Sequence, residues 1–170
     1  MDLVIRPAEK TEALAVARIH VRAWQAAYRG LLPDGYLDGL RPEDRAARYT
    51  FGAPSPSPLT LVALAADAAD PAAVVGFATI TTDGRQPGEL LALSVDPTWW
   101  RHRIGARLMA EARARLAGQG CTEAILWLLA GNERAARFYE RDGWSFDGTR
   151  RTEEVWGARV DELRYRRPLG

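Results

Sequence analysis

Hydrophobic and polar positions divide the first third of the chain into a short strand followed by two helices. Residues 3–5 are apolar and precede a proline, which is typical of an edge strand. Over residues 11–28 the apolar positions recur at steps of three and four, so this stretch predicts a helix with one face in the core. A turn is predicted over 29–40. A second helix is predicted over 42–51, where a proline and two acidic residues open the first turn.

From residue 59 onward the hydrophobic period becomes that of β-strands. Two apolar runs, 59–65 and 73–81, flank the turn-forming stretch 66–72, and together they predict an antiparallel hairpin. A third strand is predicted over 89–95. The remainder alternates between the two periods and predicts a helix over 103–120, a strand over 123–129, a helix over 133–142, and strands over 144–155 and 158–169.

The order of these elements places the chain in the α/β or α+β class. A meander is combined with a βαβ crossover, so the sheet is expected to be mixed. We expect one domain over residues 1–170, because the chain before the Pro- and Ser-rich stretch 52–58 is too short for a separate, well-buried unit. That stretch is interpreted as an internal loop.

Composition narrows the classes of function. The 170 residues include 47% hydrophobic and 26% charged residues, as in ordinary globular proteins, and the formal net charge is +1. A near-neutral chain without aromatic–basic stripes makes a nucleic-acid-binding domain a poor alternative. The single cysteine, Cys121, excludes a disulfide framework and a thiolate metal cluster. No signal peptide and no bilayer-spanning apolar run is visible, so we expect a cytoplasmic protein that does not act at a membrane.

The bend between the strand at 89–95 and the following helix is the first candidate for chemistry. The first N–H groups of a helix have no backbone partner, and the positive end of the helix dipole lies behind them. Arg101, His102 and Arg103 add positive charge there, and the small pair Gly105–Ala106 lets an anion approach the backbone. Two interpretations remain open from these residues: a phosphate site, or solvated arginines above packed tryptophans. The sequence contains neither a Walker A loop nor a dinucleotide-binding fingerprint, so nucleotide hydrolysis and hydride transfer lack their usual support.

Three segments together resemble the GCN5-related N-acetyltransferase (GNAT) superfamily. GELLALSVDPTWWRHRIGARLMAEA is similar to the acyl-CoA-binding strand, loop and helix of that family. LWLLAGNERAARFYERDGW is similar to the strand and helix with the motif N-x-x-A-x-x-F-Y-x-x-x-G-[FW], and HVRAWQAAYRGLLPD is similar to the first helix and turn of many bacterial members. The resemblance covers essentially the whole chain. It implies a mixed, mostly antiparallel central sheet flanked by helices, in which one parallel pair of strands is splayed.

The sequence departs from the family in the loop, where the usual pattern is [QR]-x-x-G-x-[GA]. In one register Trp100 takes the Gln/Arg place, Arg103 replaces the first glycine and Gly105 matches the last position. In the other register the pattern starts at Arg101 and puts Ile104 at the first glycine. One glycine is missing in both registers. A Cβ at that position restricts positive φ and crowds a pyrophosphate, whereas an arginine offers charge to a phosphate.

The resemblance implies acetyl-CoA as co-substrate, without a metal. The backbones of Leu93 and Val95 would hold the pantetheine arm as a further strand would. Asn132 would touch the arm in addition to capping its helix. The residues implied to bind acetyl-CoA are Leu93, Ser94, Val95, Arg101, His102, Arg103, Ile104, Gly105, Ala106, Asn132, Ala135 and Phe138.

The resemblance also implies two catalytic groups for transfer of the acetyl group to a primary amine of a small molecule or peptide. The amine would attack the thioester directly in a ternary complex. Tyr139 would donate a proton to the departing thiolate; the alternative is a core aromatic, because Tyr139 shares a helix face with Ala135 and Phe138. Glu89, four residues before Leu93, would take the proton of the ammonium, directly or through water. The alternative for Glu89 is an exposed acid at the end of a strand.

The acceptor site and the assembly are less constrained. Trp24, Tyr28 and Trp156 are candidates for lining an acceptor pocket, and Glu153 or Glu154 for attracting a cationic amine. A homodimer is an expected assembly for such a family. The main alternative function is a non-catalytic acyl-CoA sensor, which the missing loop glycine leaves open.

Overall fold

The computed structural model describes residues 1–53, 58–70 and 73–170, and in them seven strands form one sheet of order β1-β2-β3-β4-β5-β7-β6. The loop predicted at 52–58 and the turn predicted at 66–72 lie partly outside these residues. The strands are β1 (Leu3–Pro7), β2 (Leu59–Ala65), β3 (Val74–Ile80), β4 (Gly88–Val95), β5 (Glu123–Leu129), β6 (Ser145–Val155) and β7 (Ala158–Pro168). The helices are α1 (Ala13–Ala27), α2 (Asp34–Asp38), α3 (Pro42–Ala46), α4 (Ile104–Gly118) and α5 (Glu133–Arg141).

The sheet is mixed, as the order of elements predicts. β4 and β5 run parallel, and the other neighbouring strands pair antiparallel. The predicted hairpin is β2–β3, and the predicted crossover is the path from β4 through α4 to β5. The fold class is therefore confirmed.

The core lies on both faces of the sheet because β2 and β3 are apolar at most positions, on both of their faces. Leu61 and Ala78 point into the larger cluster, which α4 covers with Leu108 and other buried side chains. The alternate residues Val62 and Phe77 point to the opposite face, where α1 covers them. This alternation follows from the period of two along a strand. It places α1 and α4 on opposite sides of β4, the strand with the candidate site.

The segment between α1 and β2 differs from its prediction. The predicted turn over 29–40 contains α2, because Pro33 presets the backbone (φ −58°) before Asp34 and the apolar Leu37 is fully buried. The helix predicted over 42–51 ends at Ala46. Beyond it, the rings of Tyr49 and Phe51 stack at 4.7 Å and pack against the cluster under α1, and this packing outweighs continuation of the helix.

In the described residues, no helix has the combination of length and apolar character needed to cross a lipid bilayer.

Candidate active site

The centre of the site is the gap between β4 and β5. The two strands pair only where Gly88–Leu90 faces Ala124–Leu126. Next to this pairing the register between β3 and β4 shifts, which leaves Leu91 without a partner on β3 and 47% exposed. A bulge of this kind bends a strand and increases its twist. β4 therefore turns away from β5 after Leu90, and the parallel pair is splayed.

The splay leaves one edge of β4 open towards the gap. The backbone N–H of Asp96 donates to the carbonyl of Val75 on β3 at 2.8 Å. Successive residues of a strand direct their backbone groups to opposite sides, so those of Leu93 and Val95 point away from β3 and into the gap. At the end of this edge, the indole Nε1 of Trp100 donates a hydrogen bond to the Val95 carbonyl at 2.9 Å. Ser94 lines the gap with its backbone directed towards β3.

The loop after β4 is held by Asp96. Its carboxylate accepts hydrogen bonds from the N–H of Thr98 at 3.0 Å and the Thr98 hydroxyl at 2.9 Å, and it pairs with Arg22 of α1. Burial acts to raise the pKa of Asp96, but these hydrogen bonds and the charge of Arg22 prevail, and the pKa lies below its ordinary value. Asp96 therefore stays ionised and fixes the start of the loop.

Two arginines of this loop have the left-handed backbone that glycine adopts easily. Arg101 has φ 70° and Arg103 has φ 59°. Arg103 is also the N-terminal boundary residue of α4, and its side chain makes no capping hydrogen bond. The first N–H groups of α4 thus face the loop without a side-chain cap. The left-handed Arg103 favours the register in which this residue takes the place of the family's glycine.

Helix α5 forms the next wall of the gap. Asn132 Oδ1 accepts the N–H of Ala135 at 3.2 Å, so the predicted cap is present. The ring of Phe138 lies against Gly105 of α4, where an added Cβ would stand 3.4 Å from it. Phe138 and Tyr139 meet edge to face at 5.3 Å. Burial, with a contribution from Tyr28, raises the pKa of Tyr139 well above its ordinary value of 10.

The opposite wall carries a carboxylate that the sequence patterns did not single out. Glu162 of β7 lines the cleft with its side chain 12% exposed, and its Oε1 accepts a hydrogen bond from Arg151 Nε at 3.0 Å. The Arg151 guanidinium stacks at 3.9 Å on the ring of Trp127, which also lines the cleft. Burial, followed by the charge of Glu162, raises the pKa of Tyr28 to about 12. Glu153 and Glu154, the acids suggested for this side, are exposed and are not among the lining residues.

Glu89 lies beside the cleft and does not line it. Its backbone N–H donates to Thr81 Oγ1 at 3.1 Å, and its side chain is half-buried. Burial raises the pKa of Glu89; the charge of Arg151 opposes this shift and that of Glu162 adds to it. The charge of Glu162 thus acts on the pKa of both Glu89 and Tyr28, and Tyr28 acts on that of Tyr139.

The structure brings most of the implied site residues to one cleft of about 1050 Å³. Its lining includes Leu93, Ser94, Val95, Arg101, Arg103, Ile104, Gly105, Ala106, Asn132, Ala135, Phe138 and Tyr139. His102 is exposed outside it, with Nδ1 3.0 Å from the carbonyl of Trp100. The sequence patterns missed Arg45, Trp127, Arg134 and Glu162, which also line the cleft. The alternation along β5 and β7 is the one signal for Trp127 and Glu162, and it does not tell which face is inward.

Trp24 and Tyr28 line the cleft as suggested, and Trp156 packs on Trp24 with ring centroids 4.9 Å apart. Across the cleft, the Arg134 guanidinium lies 3.4 Å over the ring of Trp100, which joins the start of α5 to the loop after β4. No group of three or more His, Cys, Asp or Glu side chains that could hold a metal ion occurs among the described residues.

Comparison with known proteins shows the fold and the family of the chain. No curated protein matches the sequence significantly. Among solved structures, the chain is similar to PaiA N-acetyltransferase from Thermoplasma acidophilum in complex with coenzyme A (19% identity, 99% of each chain, TM-score 0.73) and to ribosomal-protein-S18-alanine N-acetyltransferase from Escherichia coli (19%, 99% of this chain and 95% of that chain, 0.70). It is also similar to YncA from Salmonella typhimurium with acetyl-CoA (18%, 100% of this chain and 95% of that chain, 0.69). At these identities the likeness shows a shared fold. The sequence profile described as "Acetyltransferase (GNAT) family" matches residues 18–144, three quarters of the chain. The chain belongs to the acetyltransferase (GNAT) family.

Proposed function

We propose that the protein transfers the acetyl group of acetyl-CoA to a primary amine of a small molecule or peptide. The observation that carries this proposal is the open edge of β4, which faces the same cleft as the uncapped start of α4 and the hydroxyl-bearing Tyr139. Solved relatives of the same fold contain coenzyme A or acetyl-CoA, which supports the choice of co-substrate.

The residues of the cleft fit a ligand that is long, amide-bearing and anionic at one end. Ligand pockets usually enclose about 300–1,000 Å³, and this cleft is slightly larger than the upper limit of that range. The backbone groups of Leu93 and Val95 would bind the two amides of the pantetheine arm in the manner of an added strand. The N–H groups at the start of α4 would bind the pyrophosphate, with Arg101 and Arg103 beside them. Acetyl-CoA supplies the activated acyl group when it is bound.

The remaining steps belong to side chains of this protein. Glu162 would attract the incoming ammonium into the cleft, and Glu89 would take one of its protons through a water molecule. The raised pKa of Glu89 makes it a better proton acceptor than an ordinary glutamate. The neutral amine would then attack the thioester carbon directly, with both reactants held in one cleft. Tyr139 would donate a hydrogen bond to the departing sulfur.

Two measurements test this function. Calorimetry with acetyl-CoA and with free coenzyme A measures binding, and a thiol-release assay across amines, polyamines, amino acids and peptide N-termini measures turnover. We expect acetyl-CoA to bind and at least one amine class to release the thiol. Binding without release for every amine would instead favour the acyl-CoA sensor. One observation favours that alternative: Glu89, the implied base, does not line the cleft.

A further inference from the structure

The wall of the cleft opposite α5 holds an arginine without an acidic partner. Arg45 of α3 lines the cleft, and in the described part of the chain it forms no ion pair. Its Nε is buried and has no hydrogen-bond partner among the same residues. Two other arginines on this side of the sheet each meet a carboxylate: Arg151 meets Glu162 at 3.0 Å, and Arg164 meets Asp147 at 2.6 Å. A guanidinium taken partly out of water without a counter-charge is unfavourable, so Arg45 lacks an anion.

The surroundings of Arg45 are built by three separate parts of the chain. Its guanidinium carbon lies 5.1 Å from the ring centroid of Trp156, at the tip of the β6–β7 hairpin, and 5.8 Å from that of Tyr49. Trp156 is held in place because its carbonyl accepts the hydroxyl of Tyr36 from α2 at 2.5 Å. The ring of Trp156 also lies 5.2 Å from that of His20 on α1. Arg45 is therefore oriented by fixed aromatic rings at the edge of the cleft.

The length of α1 gives an approximate distance between Arg45 and Glu162. His20, Trp24 and Tyr28 follow each other at four-residue steps along α1 and its C-terminal boundary, with Trp24 5.8 Å from His20 and 5.0 Å from Tyr28. Arg45 is at the His20 end, because it packs on Trp156, whose ring meets that of His20. Glu162 lines the cleft with Tyr28 at the other end, close enough to raise the pKa of Tyr28. Eight residues of helix span about 12 Å. Contacts of about 3 Å at each end leave roughly 6 Å between the groups that a ligand would present.

We propose that the acceptor carries an anionic group about 6 Å from its amine, and that Arg45 binds this group while Glu162 receives the ammonium. An extended dipeptide has this span, since two residues reach at most about 7 Å, and an α-amino acid is too short. Trp24, Tyr28 and Trp156 would contact the apolar part between the two charges. This inference rests on the proposed transfer to an amine and defines the class of that amine.

The test uses acceptors that differ in one charge. Alanyl-alanine and alanyl-alanine amide present the same amine, but only the first ends in a carboxylate; alanine is the short control. The kcat/KM of each is measured by thiol release with saturating acetyl-CoA. A hydrogen-bonded ion pair of this kind corresponds to about a 10- to 100-fold preference for the free acid. We expect that preference in the parent protein and a weaker reaction with alanine.

Variants then assign the preference to Arg45. Arg45→Gln should reduce it to less than about threefold, and Arg45→Lys should keep part of it, because the charge remains without the planar fork. Arg48→Gln is the matched control: Arg48 is exposed on the same segment and is not among the lining residues, so the preference should persist. Calorimetry with acetyl-CoA checks that each variant is folded. An equal rate for acid and amide, or a preference unchanged in Arg45→Gln, overturns the inference while the proposed transfer stands.

A second readout decides the case in which none of the three acceptors is acetylated. Alanyl-alanine and its amide are titrated into protein saturated with free coenzyme A, and the heat of binding is recorded. Tighter binding of the acid in the parent, lost in Arg45→Gln and retained in Arg48→Gln, supports the anion subsite. Equal binding of the two, or none, overturns it. Failure of transfer to any amine in the wider panel would instead count against the proposed function.

Discussion

Replacement of Tyr139 by phenylalanine separates the chemistry of the cleft from its packing. The variant keeps the ring that meets Phe138 at 5.3 Å and Trp144 at 6.4 Å, and it loses only the hydroxyl. We expect acetyl-CoA to bind with unchanged affinity, because the ring still fills its place between α5 and β4. The rate of acetylation at saturating substrates should fall about 10- to 100-fold, because the departing sulfur loses a hydrogen-bond donor.

The magnitude follows from the position of the hydroxyl. Burial, together with Tyr28, raises the pKa of Tyr139 far above 10, whereas an ordinary thiol has a pKa of about 8.5. Complete transfer of the phenolic proton to the thiolate is therefore uphill, and the hydroxyl would stabilise the developing charge mainly by donating a hydrogen bond. A hydrogen bond to a charged group contributes about 1.5–3 kcal/mol, and each 1.4 kcal/mol changes a rate tenfold.

Thiol release gives the rate, and calorimetry gives the affinity for acetyl-CoA. Tyr165→Phe is the matched control, because Tyr165 is buried in the core on β7 and does not line the cleft. It should leave the rate unchanged. A Tyr139→Phe variant that reacts at the parent rate would refute the assignment. A variant that keeps the rate at saturation but binds acetyl-CoA more weakly would show that the hydroxyl serves binding.

Three further predictions concern Arg103, Glu89 and His20. Arg103→Ala and Arg103→Gly should both weaken acetyl-CoA binding. In urea unfolding the glycine variant should be about 1 kcal/mol more stable than the alanine variant, because φ is 59° at this residue. Equal stabilities of the two variants would contradict backbone strain at Arg103. Burial raises the pKa of Glu89 above its ordinary value of 4.5. The free energy of unfolding therefore falls as pH rises from 4.5 through the raised pKa, because the buried carboxylate must ionise in the folded state. Glu89→Gln should therefore gain stability relative to the parent over that interval and lose the acidic limb of the pH–rate profile, and an unaltered profile would exclude Glu89 as the base. Burial, with Arg45 adding, lowers the pKa of His20 to about 3, so stability is lost as pH falls from 6.5 towards that value. Relative to His20→Gln, the parent should lose on the order of 1–2 kcal/mol between pH 6.5 and about pH 5 in thermal or urea unfolding, and parallel curves would contradict this.

Most of the fold could be predicted because its longer elements each repeat a hydrophobic period several times. α1 and α4 begin and end within a few residues of their predicted bounds, and Asn132 caps α5 as expected. The short helices α2 and α3 span about one turn, in which no amphipathic period can be recognised. Their form depends on tertiary packing of Leu37, Tyr49 and Phe51, which the local sequence does not reveal.

The sequence could likewise predict one part of the candidate site and not the other. The loop after β4 and the helix from Asn132 to Tyr139 are continuous motifs, so their residues could be named from the sequence. Glu162 could not be chosen over Glu153 or Glu154, because an alternating strand presents either set inward until its register with β5 is known. The gap itself was implied by resemblance alone. Residues 90–93 of β4 are all apolar, and nothing in this run marks Leu91 as the residue without a partner.

The bulge at Leu91 has a consequence for the folded protein before any substrate arrives. By parting β4 from β5, it leaves the far half of β4 without a strand partner on one edge, where an extended polypeptide could add itself. We therefore expect the empty protein to be prone to self-association and to lose folding free energy that an occupied cleft restores. A ligand at one hundred times its dissociation constant adds about 2.7 kcal/mol to the free energy of unfolding. The persistence of this protein in the cell would then follow the local supply of coenzyme A.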